Sequence, residues 1–449
     1  MIARLSPLLG KFPRKSLEVD GVYSTDYPGP SVAIHSSAKI EFEMGHFMAI
    51  GGDAYAPDVV PREIAREWLP DMRWDSKNAW LSEGLPEYLA WRYLREANPG
   101  ASRVLAAEAM RDVGTKVELL RLADIQNWWA HGKNVLPQEN REREKREARK
   151  RGLLLLRTLE TVIDQERVDR VLPEFIRRTG KHPLSTAVFE KVCEEIAGRD
   201  LSWFFRYYVE GKEVPELELR RLPSESPSVV AGEILVRGLP PEGSVRVDMT
   251  VRTAQGNVEH SVATHGRVTP FTVNVPAPAL GITFDPDLRI LRWTEAARRS
   301  KAQSAVLAAL PDPLTAKDLP AAIEIYRRAL AADPDDEAQR AQALRERLGE
   351  LEWAHDEWNV ALEDLDAAIN GHSISPFETY LCRTKAYLYH GVVELHERRP
   401  QAALEDARTG LALPRVVLLQ VVPREPIESR GNWTLEHLLE TLSDAASRY

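Results

Sequence analysis

Two cysteines in 449 residues are too few for a disulfide framework. Cys193 and Cys382 lie far apart, in what read as different domains, and their scarcity fits a reducing compartment. Long apolar runs are missing as well. No stretch approaches the about 20 consecutive apolar residues that cross a bilayer. The N-terminal stretch Met1 to Lys11 lacks the apolar core of a secretion signal. A cytoplasmic protein with no membrane partner is therefore expected. Surplus basic charge is absent too: 59 Lys and Arg face 68 Asp and Glu, a net charge of −9, which argues against nucleic acid as a partner. What remains is of ordinary globular composition, 43% hydrophobic and 28% charged. The length leaves room for three or four domains, each with its own core.

The stretch Arg62-Glu63-Ile64-Ala65-Arg66-Glu67-Trp68 is followed by Trp80-Leu81-Ser82-Glu83-Gly84. Arg62 and Arg66 are one helical turn apart and share a face. Pro61 suits a first helical position. Beyond Glu83, the apolar residues Leu85, Tyr88, Leu89 and Tyr93 recur at helical spacing, together with Arg92. Two helices facing each other are expected, carrying Arg62, Glu63 and Arg66 on one and Glu83 at the start of the other. Taken alone, Arg-Glu-x-x-Arg is the pattern of a solvated charged face; its neighbours give it a different meaning.

With His in place of Arg62 and Arg66, this text would be His-Glu-x-x-His, a Trp, a loop and a distant Glu. That is the layout of a catalytic zinc site, with two His and a Glu as ligands and the motif Glu as general base. The stretch resembles the zinc aminopeptidases of the membrane-alanyl-aminopeptidase family, gluzincins with a thermolysin-like catalytic domain. Sixteen residues separate Arg66 from Glu83, slightly fewer than in the family, and shortening a loop changes its closure entropy little.

Both expected imidazole ligands are arginines. A guanidinium stays protonated and offers a metal no lone pair. The resemblance therefore implies a peptidase-like fold without catalytic zinc and without a cofactor. In it Glu63 is a remnant general base, and Arg62 and Arg66 pair with Glu63 and Glu83 in place of the ion. Buried carboxylates need such a partner.

The resemblance extends over about residues 8–296. Phe12-Pro13 and Ser16 to Val19 resemble the opening of the family's catalytic domain. Family members carry a Gly-x-Met-Glu-Asn segment near Glu43 to Met48; no Met-Glu-Asn survives here. His46 in that segment reads as a core residue. The mixed-charge run Arg141 to Arg151 reads as a solvated helix start with i,i+4 pairs. It ends at Gly152, where relatives carry Tyr-x-Lys-Gly and the Tyr stabilises the oxyanion. Arg149 stands at that Tyr position. Helices are expected over Ala101–Leu122 and Gly152–Ile176. Phe189 to Glu216 is the second strong match: Gly198 reads as a left-handed cap, Asp200 as the cap of the next helix, and Trp203-Phe204-Phe205 as core. The family's large N-terminal β-domain has no counterpart in these residues, which implies a cleft more open than in the relatives or covered by a partner.

Residues 216–296 show short alternating runs at Leu217–Leu219, Val229–Val236, Val245–Val251, Phe271–Val275 and Gly281–Phe284, separated by Pro- and Gly-rich turns. They predict a small β-sandwich. From about 300 the text turns to Ala, Leu, Glu and Arg. Ala322, Tyr326, Ala329 and Pro334 have the spacing of a tetratricopeptide second helix. Ala361, Leu365 and Ala368 echo it, as do Ala403, Ala407 and Gly410 before Pro414. Trp433–Tyr449 reads as a closing helix.

The expected fold class is multidomain α+β: a thermolysin-like, mainly helical domain with a small β-rich lead-in over 1–215, a β-sandwich over 216–296 and a tetratricopeptide-like helical domain over 300–449. The expected function is that of a pseudo-metallopeptidase, a binding or scaffold subunit that holds a protein or peptide partner through the repeats and the open cleft. A complex with an active peptidase relative is part of that expectation. The alternative is an active zinc aminopeptidase with an altered metal site including Glu63, Glu83 and a group such as His46 or His131. Two arginines beside such a site oppose a dication.

Overall fold

The computed structural model describes residues 1–14, 17–22, 34–36, 39–43, 58–69, 75–113, 136–224, 226–310, 316–333, 339–370, 376–413 and 435–449. The architecture is α+β, with many helices and three small sheets. Two compact units divide the chain. One holds Met1–Lys15, Val60–Val113 and Arg141–Arg298; the other holds Ser16–Val59, Gly114–Asn140 and Arg299–Tyr449. Among the described residues, no helix is long and apolar enough to cross a membrane.

In the first unit the chain begins as a helix, α1 (Ile2–Leu9), where the sequence led us to expect β structure. Leu5 and Leu9, one turn apart, bury the same face. The expected lead-in strands follow in the second unit: β1 (Glu18–Val22), β2 (Ile34–Ser36) and β3 (Lys39–Glu43) form a sheet in which β3 pairs parallel with β1 and antiparallel with β2.

Helices α2 (Val59–Arg66), α3 (Ala79–Ser82) and α4 (Gly84–Ala97) carry the motif residues. Pro61 sits at the third position of α2 rather than the first. Helix α5 (Pro99–Arg111) is capped by the Asn98 side chain, which accepts from the Ala101 amide. Helix α6 (Leu136–Ile163) then runs through the charged stretch into the leucine run, and Leu153 to Leu156 are buried on every side. The single helix expected over Gly152–Ile176 is instead two. Asp164, at φ 69°, breaks the chain and caps α7 (Gln165–Thr179) by accepting from the Arg167 amide.

Helix α8 (Thr186–Ala197) ends at Gly198 in the left-handed conformation. Asp200 accepts from the Ser202 amide at 2.7 Å, at the start of α9 (Ser202–Phe204). That helix widens into one π-helical turn over Phe205–Glu210. Phe189, Phe204 and Phe205 are buried there, with Phe205 edge to face against each of the other two.

Two three-stranded sheets complete this unit. One has the order β4 (Glu216–Leu222), β5 (Val229–Arg237), β8 (Val268–Asn274). The other has the order β7 (Gly256–Ala263), β6 (Arg246–Thr253), β9 (Ala279–Phe284). All pairings within them are antiparallel. Val230, Ile234, Val247, Met249 and Phe271 join the same hydrophobic core as the helices. A polar joint ties α6 to the residues after β9: the Leu291 amide donates to Thr158 Oγ1 at 2.8 Å, Arg289 pairs with Glu160 at 3.5 Å, and the buried Arg157 reaches the Asp287 carbonyl.

The chain continues in α10 (Glu295–Leu307), α11 (Leu319–Ala332), α12 (Gln339–Ala354), α13 (Trp358–Asn370), α14 (Pro376–His396), α15 (Pro400–Ala412) and α16 (Leu435–Ala446). The small and apolar positions with repeat spacing are all buried: Ala322, Tyr326 and Ala329 on α11, Ala361, Leu365 and Ala368 on α13, and Ala403, Ala407 and Gly410 on α15. A hydrogen bond repeats with them. Gln303 Nε2 donates to the Ala329 carbonyl at 3.1 Å, and 39 residues on Gln342 Nε2 donates to the Ala368 carbonyl at 2.7 Å. Pro334, Pro414 and Trp433 lie outside the described residues.

Candidate functional site

The site grows from three short-range facts of sequence. Arg62, Glu63 and Arg66 leave α2 within one turn of each other. Glu83 is the residue between α3 and α4, where the chain turns from one helix into the next. Glu87 follows four residues later on α4, on the same face.

Tertiary packing fixes these helices. Ala65, Trp68, Trp80, Leu81, Leu85 and Tyr88 are buried beneath them. Trp68 donates from Nε1 to the Gly10 carbonyl at 3.1 Å, and its ring meets Phe12 edge-on at 4.7 Å. Trp80 donates from Nε1 to Thr186 Oγ1 at 3.0 Å. The third helix of the site, α6, crosses at two glycines. A Cβ on Gly84 would stand 2.4 Å from Gly152 Cα, and a Cβ on Gly152 would stand 2.1 Å from the Trp80 carbonyl oxygen. Only glycine permits so close a backbone approach. The crossing places Arg149, nearly one turn before Gly152, over Glu83 and Glu87.

The side chains form one ion-pair network. Arg62 donates from Nε to Glu63 at 3.3 Å and from Nη1 to Glu87 at 3.2 Å. Arg66 donates from Nε to Glu63 at 3.2 Å and from Nη2 to Glu83 at 2.7 Å. Arg149 lies further off, Nη2 at 3.6 Å from Glu83 and Nε at 4.0 Å from Glu87. Arg62, Glu63, Glu83 and Glu87 are each less than 10% exposed. Burial raises the Glu83 carboxyl, but the positive charges of Arg66 and Arg149 outweigh it and hold Glu83 below the usual glutamate value. Burial and the nearby Arg62 charge lower the Arg149 guanidinium, against the opposing pull of Glu87 and Glu83.

The structure thus brings together Arg62, Glu63, Arg66, Glu83 and Arg149. Sequence reasoning missed Glu87. Its signal was there: it stands one turn from Glu83 and on the same face. The charged run was misjudged as well. Arg149 faces the glutamates, Lys150 pairs with Asp112, and Arg151 donates to the Tyr208 carbonyl at 2.7 Å, so its end is built into the core rather than solvated. His46 and His131 lie outside the described residues.

Zinc binds through lone pairs of His, Cys or carboxylate groups. At this site every carboxylate faces a guanidinium, and the two positions that would supply imidazole supply cations. No group of three or more His, Cys, Asp and Glu able to hold a metal occurs among the described residues. The residues present do not fit the ion. A separate cleft of about 640 Å³, lined by Arg4, Leu5, Arg92, Asp169, Glu174 and Arg177 among others, contains none of the six network residues.

No family model matches the chain, and no curated protein sequence matches it. Among solved structures it is similar to the crystal structure of Legionella pneumophila aminopeptidase A in complex with aspartic acid. The TM-score is 0.51 at 13% identity, over 100% of this chain and 57% of that one. The fold is aminopeptidase-like. At that identity the likeness is one of fold alone, and the chain spans 57% of its neighbour's length.

Proposed function

We propose that this aminopeptidase-like protein is a non-catalytic, cytoplasmic binding or scaffold subunit, which holds a protein or peptide partner and works without a catalytic zinc. The observation that supports this most directly is the pairing of Arg66 with Glu83 and of Arg62 with Glu63 and Glu87. In this reading the arginines take over the charge-neutralising part of a zinc ion and leave out its chemistry. A guanidinium can neutralise carboxylates, but it cannot polarise a water to hydroxide as zinc does. Glu63, the remnant of the general base, is engaged by two arginines rather than facing a metal-bound water. In this reading the tetratricopeptide-like helices offer a second surface for a partner, with an active peptidase relative as one candidate.

Two measurements test the reading together: metal analysis of the purified protein, and hydrolysis of chromogenic amino-acid amides. Zinc well below one equivalent per chain and no turnover above buffer are expected. Near-stoichiometric zinc, or turnover abolished by Glu63→Gln, would overturn it.

A further inference from the structure

Arg149 stands apart from the other two arginines of the network. Arg62 and Arg66 donate to glutamates at 2.7 to 3.3 Å. Arg149 makes no hydrogen bond to a described residue; its nearest carboxylate oxygens are 3.6 and 4.0 Å away, beyond good hydrogen-bonding distance. Its Nε is buried without a partner, while the side chain as a whole keeps 20% of its surface open. A guanidinium offers five donors in a fixed fork.

Charge points the same way. Arg62, Arg66 and Arg149 balance Glu63, Glu83 and Glu87 by count. The positive field of Lys145 also reaches Glu83. Arg149 is under repulsion from Arg62 and, more weakly, from Arg66, set against the attraction of Glu87 and Glu83. An added anion at this corner would relieve that repulsion and meet the open edge of the guanidinium rather than its buried Nε, and a planar carboxylate matches the guanidinium fork.

We propose that Arg149 receives a carboxylate of the bound partner, either the free C-terminus of a peptide or an acidic side chain. This deepens the binding reading above and rests on it. The Tyr position of the resembling family has then become an anion receptor.

Isothermal titration of the full chain at fixed ionic strength tests this with three small probes. They are N-acetyl-dialanine, its C-terminal amide, and N-acetyl-glutamyl-alaninamide, which carries only a side-chain carboxylate. N-acetyl-dialanine or the glutamyl probe is expected to bind at least about tenfold more tightly than the uncharged amide, and which of the two does so identifies the source of the carboxylate. Arg149→Gln is expected to erase the difference, and Arg149→Lys to keep part of it, since lysine retains the charge but not the fork. Equal binding of all three probes to the wild-type protein, no binding of any, or an undiminished carboxylate preference in Arg149→Gln would overturn the proposal. The wild-type comparison stands even where a variant folds poorly. Zinc content and amide hydrolysis, measured on the same preparation, separate the two claims. Turnover or stoichiometric zinc defeats the binding reading, whereas their absence together with equal probe binding defeats only the carboxylate assignment.

Discussion

Arg66 donates from Nη2 to Glu83 Oε2 at 2.7 Å, and so ties α2 to the junction that opens α4. Arg66→Ala would remove the hydrogen-bond donor that Glu83 has among the described residues, and Arg62→Ala would remove one donor each from the buried Glu63 and Glu87. Each is expected to destabilise the protein by about 1–3 kcal/mol; each arginine serves two glutamates, and Arg62→Ala is the costlier because Arg62 is the more buried. Urea unfolding of the variants checks this, and a neutral outcome for both would show that the pairing adds nothing to stability.

Acid should weaken the same network. Glu83 is held below the usual glutamate value near 4.5. Its stabilising contribution is then fully present above the unfolded pKa and is lost as pH falls through the lower folded value. Thermal melts from pH 6 to pH 3 should show a decline that Arg66→Ala flattens.

His390 should act in the opposite sense. Burial lowers its pKa, but the hydrogen bond to Asp406 at 2.8 Å, with Asp366 and Glu394 nearby, raises it above the usual histidine value. Its contribution is fully present below the unfolded pKa and is lost as pH rises through the raised folded one. Amide protection factors in α14 and α15, corrected for the intrinsic rise of base-catalysed exchange with pH, should fall between about pH 6 and pH 8, and His390→Gln should remove most of that fall.

Gly152→Ala would drive a Cβ to 2.1 Å from the Trp80 carbonyl oxygen. Backbone has to move, and a loss of about 1–3 kcal/mol is expected, as for other overpacked contacts. Differential scanning calorimetry against Gly256→Ala serves as a control, because a Cβ at that turn meets nothing within 4 Å. The control carries backbone strain alone.

The double variant Arg62→His with Arg66→His tests whether the cavity keeps the shape of a metal site. Two imidazoles one turn apart, facing Glu83, provide three ligands of a tetrahedral site. Uptake of about one zinc per chain, with a rise in melting temperature on adding zinc, is expected. Failure to bind zinc would show that the helices have shifted out of metal-binding register.

Much of this was legible in the chain itself. Helical spacing set Arg62 beside Arg66, and the resemblance to a zinc-peptidase motif set Glu83 opposite them. Repeat spacing singled out Ala322, Ala361 and Ala403, all buried. Strand β7 was missed because its positions are half exposed or fully exposed, so alternation leaves little trace in side-chain type. Glu87 was missed because it sits among the apolar positions of α4 and reads as surface charge. Arg149 to Arg151 were misread because local pattern reports helix but not which face a distant element covers. The break at Asp164 depends on a residue with positive φ, which composition does not announce.

The crossing of Gly84 on Gly152 has a consequence for how this protein could change. Two main chains in contact set the spacing of α3 and α4 against α6 with no help from the charged groups around them. The ionic residues are passengers on a clamp made of bare peptide. They can be exchanged, one set for another, while the jaw stays shut.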